Sequence, residues 1–177
     1  MLKNHLLLLG LVAAGLAGCN QHTARPPVKE QRSIEAGDIG SRLPDFSVTD
    51  LEGHSLAAAE LRGKVVLIDF WATWCAPCKR EMPGYQMLWD RYGGRGLAVI
   101  GLKVDMMRDT EEPLQFAKRI GVRYPLAVAT ADLRQKFGGI EGLPTTMLYD
   151  RQGILRKKVI GFEYTSVFEM ELKPLLY

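Results

Sequence analysis

Two cysteines, Cys75 and Cys78, lie three positions apart in the stretch "WCAPCK" and are the residues of this 177-residue chain best suited to chemistry. A CxxC pair can bind zinc, close a structural disulfide or exchange disulfides reversibly. Zinc needs about four ligands, but the chain has no second CxxC pair, and His5, His22 and His54 follow no ligand spacing. A staple across so short a loop would restrict the unfolded chain little. A redox-active pair is therefore the preferred interpretation, zinc and a staple are the alternatives, and no metal is predicted.

The surrounding residues predict that a strand delivers Cys75 to the start of a helix. The run "KVVLIDFWA" is apolar and rich in β-branched residues, as in a strand buried on both faces. A helix is expected over 76–92, with Pro77 in its first turn, where a missing N–H costs nothing. The free amides and the dipole at that helix end favour a thiolate at Cys75. Cys78, one turn further on, can then attack a mixed disulfide formed on Cys75.

The rest of the chain alternates between strand and helix patterns. This alternation predicts one α/β domain with a central mixed sheet and helices on both faces. Thr110 is the expected cap of the helix that contains it. The expected elements are a hairpin over 45–58 that turns at Gly53, strands over 96–104, 125–129, 145–149 and 155–160, and helices over 109–122, 131–137 and 165–172.

Composition and charge limit the partners. The chain is 47% hydrophobic and 24% charged, which is ordinary for a soluble globular domain. Its net charge of +3 is small, and the lysines and arginines are spread along the chain. Nucleic acid binding needs a clustered basic surface, so no nucleic acid partner is predicted.

The first twenty residues predict export. Lys3 is followed by an uncharged run over 6–18, which is too short for a bilayer span of ~20 residues and typical of a secretory signal. The run ends in "LAGC", which resembles the lipobox of bacterial lipoproteins. That resemblance implies cleavage before Cys19 and lipid on its sulfur; a plain secretory signal is the alternative. The predicted organisation is a signal peptide over 1–18, a lipidated cysteine and flexible tether over 19–42, and a folded domain over 43–177.

The segment "VVLIDFWATWCAPCKREMPGY" resembles the active-site segment of thioredoxin-fold proteins, specifically their TlpA/ResA-like extracytoplasmic branch. The resemblance covers roughly residues 40–175. It implies a thioredoxin-like fold, an exposed nucleophile at Cys75, a resolving thiol at Cys78 and an aromatic contact from Trp74. Pro83 matches the proline at which the family's active-site helix kinks.

The stretch "GLPTT" matches the cis-proline loop of the same family. The resemblance implies that Pro144 follows a cis peptide bond and faces the disulfide. It also implies that a substrate peptide pairs with the backbone of Leu143, in the manner of an added strand.

Two carboxylates are candidate proton carriers. Asp69 interrupts an apolar strand, where a lone charge is costly, and the resemblance implies a buried proton acceptor with a raised pKa beneath Cys78. The alternative is an aspartate at a strand edge, paired with a lysine. Glu81 follows Cys78 by three residues on one helix face and matches an active-site acid of ResA-like proteins. The alternative is an ordinary solvated helix residue.

Two other functions fit parts of the sequence. Residues 108–129 add a helix and a strand before the cis-proline loop, as in TlpA/ResA-like proteins and in peroxiredoxins. A peroxidatic cysteine lies in a P-x-x-x-T-x-x-C frame, but those positions relative to Cys75 hold Ile68 and Ala72. A peroxidase is therefore the weaker alternative, and a non-catalytic binding lipoprotein on the same scaffold is the other.

The predicted function is thiol–disulfide exchange without a cofactor, in the bacterial cell envelope. The expected partners are protein thiols and disulfides, the membrane through Cys19, and a membrane-embedded electron donor that re-reduces the pair. Reduction of substrate disulfides is the favoured direction. The substrate itself is not identified by the sequence.

Overall fold

A computed structural model describes residues 38–104, 108–109 and 111–177. A five-stranded sheet forms the centre, in the order β5-β4-β3-β6-β7. β3, β4 and β5 are parallel, whereas β6 is antiparallel to β3 and β7 is antiparallel to β6. The strands of the sheet are β3 Val65–Trp71, β4 Leu97–Val104, β5 Leu126–Ala129, β6 Thr145–Tyr149 and β7 Leu155–Ile160. The predicted thioredoxin-like mixed sheet is confirmed.

Before the sheet lies an antiparallel hairpin of β1 Ser47–Thr49 and β2 Ser55–Ala57. It turns at Gly53, whose φ of 92° is a backbone conformation that glycine adopts readily. The four helices are α1 Ala76–Tyr92, α2 Pro113–Arg119, α3 Ala131–Lys136 and α4 Thr165–Leu176. The hairpin, and the helix and strand between β4 and the cis-proline loop, are therefore confirmed.

Apolar side chains cover both faces of the sheet. All seven residues of β3 are buried, and alternate ones enter two different hydrophobic clusters. The first cluster joins the Val65, Leu67 and Trp71 face to α1, α2 and α4. The second joins the Val66, Ile68 and Phe70 face to α3 and the hairpin. β3 is thus the centre of the core, which explains its continuous apolar sequence.

α2 is shorter than the helix expected over 109–122. Pro113 lies in its first turn, and a proline disfavours helical geometry in the residue before it. Glu112 therefore lies outside the helix and caps it by accepting the Gln115 N–H at 2.8 Å. Gly121, with φ of 76°, follows the other end. Thr110, the expected cap, lies outside the described residues.

α4 is longer than expected and reaches Leu176 instead of Leu172. Pro174 removes one N–H from the last turns, which usually ends a helix. Leu172 and Leu176 are four residues apart and both are buried in the first cluster. Burial of this pair offsets the missing hydrogen bond.

Long-range contacts at both ends hold α4 in place. Thr165, its first residue, touches α1 so closely that a Cβ on Gly84 would lie 1.9 Å from the Thr165 hydroxyl. At the other end, Arg151 donates to the carbonyls of Gly63, Arg95 and Leu176 at 2.7, 3.1 and 2.7 Å. Both ends of α4 are therefore attached to distant parts of the chain.

Residues 38–42, assigned above to the tether, pair with β7. Gly40 N–H donates to Leu155 O at 3.0 Å, Leu155 N–H donates to Ser41 O at 2.8 Å, and Asp38 forms an ion pair with Lys158. The predicted signal peptide and Cys19 lie outside the described residues. Within the described ranges, no helix has the length and apolar character needed to cross a membrane.

Candidate active site

Cys75 and Cys78 form a disulfide at the start of α1. Cys75 is the residue that caps the helix, and its sulfur accepts the Cys78 N–H at 3.3 Å. Pro77 lies in the first turn, as predicted. An amide of the helix end therefore points at the sulfur that the sequence assigns as nucleophile.

The expected exposure of Cys75 is wrong for this disulfide form. Cys75 is only 3% exposed and Cys78 is 0% exposed, because both pack into the first hydrophobic cluster. The difference is small but has the expected sign. Cys75 is therefore the more accessible of the two buried cysteines.

Trp74 lies partly buried against the same cluster. The guanidinium of Arg108 lies 5.9 Å from its ring centroid, a cation–π geometry. The indole Nε1 has no hydrogen-bond partner among the described residues. Trp74 therefore packs against the same hydrophobic cluster as the two cysteines.

Asp69 is fully buried in the middle of β3. Alternation along the strand places it on the face of Leu67 and Trp71, which α1 covers. Burial raises the pKa of Asp69 to about 7, opposed only partly by the Thr146 hydroxyl, which donates to Oδ1 at 3.4 Å. The other oxygen, Oδ2, has no partner among the described residues. The predicted burial and raised pKa are confirmed, whereas an edge position with a lysine partner is excluded.

Glu81 is also buried, with 1% exposure, so the alternative of a solvated helix residue is wrong. The reason is the loop before α4, where the Glu163 N–H donates to Oε1 of Glu81 at 2.5 Å. Burial, and then the charge of nearby Asp69, raise the pKa of Glu81 to about 8. Two carboxyls that ionise near neutrality are thus buried in this region, Asp69 on the face of β3 that α1 covers and Glu81 on α1 itself.

The Leu143–Pro144 peptide bond is cis, as predicted. Pro144 directly precedes Thr145, which pairs with Phe70 near the end of β3. The proline therefore lies beside the end of β3, from which the chain continues to Cys75. The backbone N–H and C=O of Leu143 make no hydrogen bond within the described part of the chain. An extended peptide could pair with them.

Several polar residues at this site were not identified from the sequence. Lys103 on β4 is 4% exposed and pairs with Asp109, which also accepts the Thr73 hydroxyl at 2.6 Å. On α1, the Tyr85 hydroxyl lies 3.0 Å from Thr146 Oγ1. A lysine within an apolar strand was the one available signal for the first group.

One cluster within the described ranges resembles a metal site. Asp50, Glu52 and His54 in the hairpin turn place their ligand atoms within 4.8 Å of one another. Asp50 already accepts the N–H groups of Glu52 and His54 at 2.9 and 2.8 Å. These bonds are those of an ordinary turn that begins with aspartate, so the cluster needs no metal to explain it.

Comparison with known proteins identifies the family. The sequence model of the AhpC/TSA family matches residues 39–158. The chain belongs to this family. Within it, the chain is 34% identical to a thiol-disulfide oxidoreductase ResA of Bacillus anthracis over 182 residues, 99% of each chain. It is 36% identical to the ResA of Geobacillus kaustophilus, covering 77% of this chain and 78% of the relative.

A solved structure supports the same assignment. A thiol:disulfide interchange protein of the thioredoxin family from Chlorobium tepidum is 29% identical, with a TM-score of 0.70 over 78% of this chain and 97% of that chain. This AhpC/TSA family member is accordingly a ResA-like thiol–disulfide oxidoreductase with a thioredoxin-like fold. The CxxC pair at the start of α1 is the group that can perform that exchange.

Proposed function

We propose that this oxidoreductase reduces disulfides of cell-envelope proteins, with Cys75 as the nucleophile and Cys78 as the resolving thiol. The supporting observation is the placement of the pair. Cys75 caps α1 with an amide directed at its sulfur, and Cys78 is buried with Asp69 on the same side of the sheet. The more accessible cysteine is thus the one whose thiolate the helix end favours.

The exchange runs in two steps. The Cys75 thiolate attacks one sulfur of a substrate disulfide; a mixed disulfide forms, and the first substrate thiolate leaves. Cys78 then loses its proton and attacks Cys75 Sγ, which forms the Cys75–Cys78 disulfide and releases the second substrate thiolate. Two electrons pass to the substrate, and each leaving thiolate takes a proton from the medium.

Asp69 is the proposed acceptor of the Cys78 proton. An acceptor works best when its pKa is near the working pH, and burial raises that of Asp69 to about 7. Glu81, whose pKa burial raises to about 8, is the proposed second carboxyl of the site. Asp69→Asn keeps the shape but removes the acceptor, so we expect slower resolution by Cys78.

Substrate binding is assigned to Trp74, Leu143 and Pro144. The free backbone groups of Leu143 would pair with an extended substrate segment, and Trp74 would contact its side chains. Such a backbone-directed mode tolerates different sequences, which suits an enzyme that acts on more than one protein.

The protein is proposed to be anchored in the bacterial envelope through lipid on Cys19. The sequence of the first twenty residues supports this assignment. A reductase outside the cytoplasm must regain electrons, so a membrane-embedded donor is proposed as the second partner. More than one acyl chain is needed for stable anchoring, and the lipobox resemblance implies that number.

A trapping experiment tests the mechanism. In Cys78→Ala the mixed disulfide has no internal exit, so substrate proteins should accumulate covalently on Cys75. In Cys75→Ala the remaining thiol is buried and should trap little. Non-reducing gels of envelope fractions from the two variants, each compared with wild type, measure the difference.

Equal adducts with both variants, or none with either, would refute the assigned roles. Reduction of insulin by the wild-type protein, followed by turbidity, separates the enzyme from a non-catalytic scaffold. A scaffold would leave insulin soluble.

A further inference from the structure

The burial of Asp69 raises the question of how a proton taken from Cys78 leaves the interior. Asp69 is 0% exposed, so it cannot pass a proton directly to water. Each turnover nevertheless requires that Asp69 lose the proton again. A route through other side chains is therefore needed.

The groups around Asp69 leave one hydrogen-bonded exit. Its partner on β4 is Gly101, which has no side chain, and its partner on β6 is Thr146. On the same face, Lys103 is directed to Asp109, and no salt bridge reaches Asp69 in the described part of the chain. Glu81 and Tyr85 face Asp69 from α1, and Tyr124 faces it from the segment before β5.

A chain of hydroxyl groups runs from Asp69 towards α1. Thr146 Oγ1 lies 3.4 Å from Asp69 Oδ1, and Tyr85 Oη lies 3.0 Å from Thr146 Oγ1. Burial raises the pKa of Tyr85 well above its ordinary value, so the phenol stays neutral. A neutral hydroxyl can accept one proton while it donates another.

Glu81 lies at the outer end of this chain. Glu81 and Tyr85 are four residues apart on α1 and therefore lie on the same face of that helix. Burial raises the pKa of Glu81, and the Tyr85 hydroxyl lowers it by a smaller amount. Oε2 of Glu81 has no partner within hydrogen-bond distance among the described residues, so the step from Tyr85 to Glu81 requires rotation of this carboxyl or one intervening water molecule. The loop residue that donates to Oε1, Glu163, is itself only half-buried.

We propose that Thr146 and Tyr85 relay the proton from Asp69 to Glu81, from which it reaches solvent beside Glu163. This inference rests on the proposed role of Asp69 as the proton acceptor of Cys78.

The relay conserves charge and hydrogen at every step. Protonated Asp69 donates to Thr146, Thr146 passes its own proton to Tyr85, and Tyr85 passes its own to the Glu81 carboxylate. The result is ionised Asp69, protonated Glu81 and two neutral hydroxyls whose hydrogen bonds have reversed direction. Release from Glu81 to water leaves both carboxyls ionised, with Thr146 again donating to Asp69, which is the state that accepts the next proton from Cys78.

Tyr124 provides a matched control. It is buried like Tyr85, and burial together with the charges of Asp69 and Glu81 raises its pKa well above the ordinary value. Its hydroxyl, however, has no hydrogen-bond partner in the described residues. The electrostatic influence of the Asp69 and Glu81 carboxylates is thus common to both tyrosines, whereas only Tyr85 belongs to the hydrogen-bonded hydroxyl chain.

The test compares single-turnover resolution of a preformed Cys75 mixed disulfide with a model peptide thiol, by acid quench, from pH 5 to 9. Below pH 7 Asp69 is protonated and must release that proton through the relay before it can accept the proton of Cys78. In that range we expect Tyr85→Phe and Thr146→Val to slow resolution about tenfold or more, a fraction of what acid–base catalysis usually contributes. Thr146→Ser, which keeps the hydroxyl, should restore the rate. Tyr124→Phe should resolve at the wild-type rate.

The pH profile distinguishes a relay from a structural role. Thr146→Val removes the hydrogen bond that lowers the pKa of Asp69, so its profile should move to higher pH, and that of Thr146→Ser should not. The relay predicts that resolution by wild type is slower in D2O than in H2O and that this difference is smaller in Tyr85→Phe and Thr146→Val. An isotope effect that is as large in both variants as in wild type would oppose the relay. Equal slowing by Tyr85→Phe and Tyr124→Phe would overturn it.

Asp69→Asn separates this inference from the proposed function. If Asp69→Asn slows resolution but Tyr85→Phe and Thr146→Val do not, the relay is wrong and Asp69 remains the acceptor. If Asp69→Asn resolves at the wild-type rate, the acceptor role itself fails, and the relay fails with it.

Discussion

Neighbouring strands β3 and β4 each bury one ionisable side chain on the same face of the sheet, but the two side chains differ in whether they have a partner of opposite charge. Asp69 on β3 is 0% exposed and makes no salt bridge with any described residue, whereas Lys103 on β4 is 4% exposed and pairs with Asp109. Burial raises the pKa of Asp69 to about 7. Burial also disfavours the charged form of Asp109, but hydrogen bonds from Lys103 and Thr73 outweigh this and hold its pKa below the ordinary value.

The difference shows that burial of an ionisable side chain has different consequences with and without a counter-charge. The buried Asp69 carboxyl has a pKa near neutrality, which suits the proposed proton acceptor. Asp109 is an exposed residue paired with the buried Lys103, so its carboxylate stays ionised and fixes its neighbours, here the loop that carries Thr73 towards Cys75. The following variants test whether that distinction determines both stability and its pH dependence.

The largest effect is expected for Asp69→Asn at alkaline pH. Because the folded state raises the pKa of Asp69 from 3.8 to about 7, its contribution to stability is fully present below pH ~4 and is lost as pH rises to about 7. The asparagine does not ionise. We expect the variant to be about 4 kcal/mol more stable than wild type at pH 8 and close to it at pH 4.

Urea unfolding of both proteins at pH 4 and pH 8 measures this change. Asp132→Asn is the matched control, since the Asp132 side chain is 81% exposed, and its effect should stay below about 0.5 kcal/mol. An Asp69→Asn variant that loses stability with pH as steeply as wild type would show that Asp69 is not the ionising group.

The next largest change in stability is expected for Asp109→Asn, which should destabilise the protein. The variant removes the Asp109 charge from the buried Lys103 ammonium, which should cost about 2 kcal/mol at pH 7. The lowered pKa of Asp109 means that its stabilisation is present above pH ~4 and is lost as pH falls further. The difference from wild type should therefore shrink at pH 3.

Thermal or urea unfolding at pH 7 and pH 3 checks this prediction. The double variant Lys103→Met/Asp109→Asn removes both charges and should recover part of the loss. If the double variant is less stable than Asp109→Asn alone, the stability lost in Asp109→Asn does not come from the broken ion pair between Lys103 and Asp109.

The smallest effect is expected for Thr73→Val. The change removes one hydroxyl donated to Asp109 at 2.6 Å and should cost about 1 kcal/mol. Thr73→Ser keeps the donor and should cost less. Unfolding free energies of the two variants give the comparison, and a valine variant as stable as the serine variant would remove Thr73 from the clamp.

The sequence predicts the features that each element carries by itself. The continuous apolar run of β3 indicated a central strand, and an aspartate within it indicated a buried carboxyl. The bounds of α1, β6 and β7 follow from local periodicity and turn residues. The cis bond before Pro144 was expected from the resemblance of "GLPTT" to the family's cis-proline loop, not from the local pattern.

Features that depend on contacts between distant residues could not be predicted in this way. The buried Glu81 carboxyl accepts a hydrogen bond from the N–H of Glu163, which is 82 residues away. Thr73 and Asp109 are 36 residues apart, and Tyr85 and Thr146 are 61 apart. Periodicity reports which face of an element is buried but not which polar atom of another element it meets there.

The close approach at Gly84 couples the local opening of α1 to that of α4. Because a Cβ there would lie 1.9 Å from the Thr165 hydroxyl, α1 and the start of α4 fit together only without that atom. Local opening of α4 would also release the loop that covers Glu81. The amides of these two helices should therefore exchange with solvent as one cooperative unit, although some 80 residues separate them in the chain.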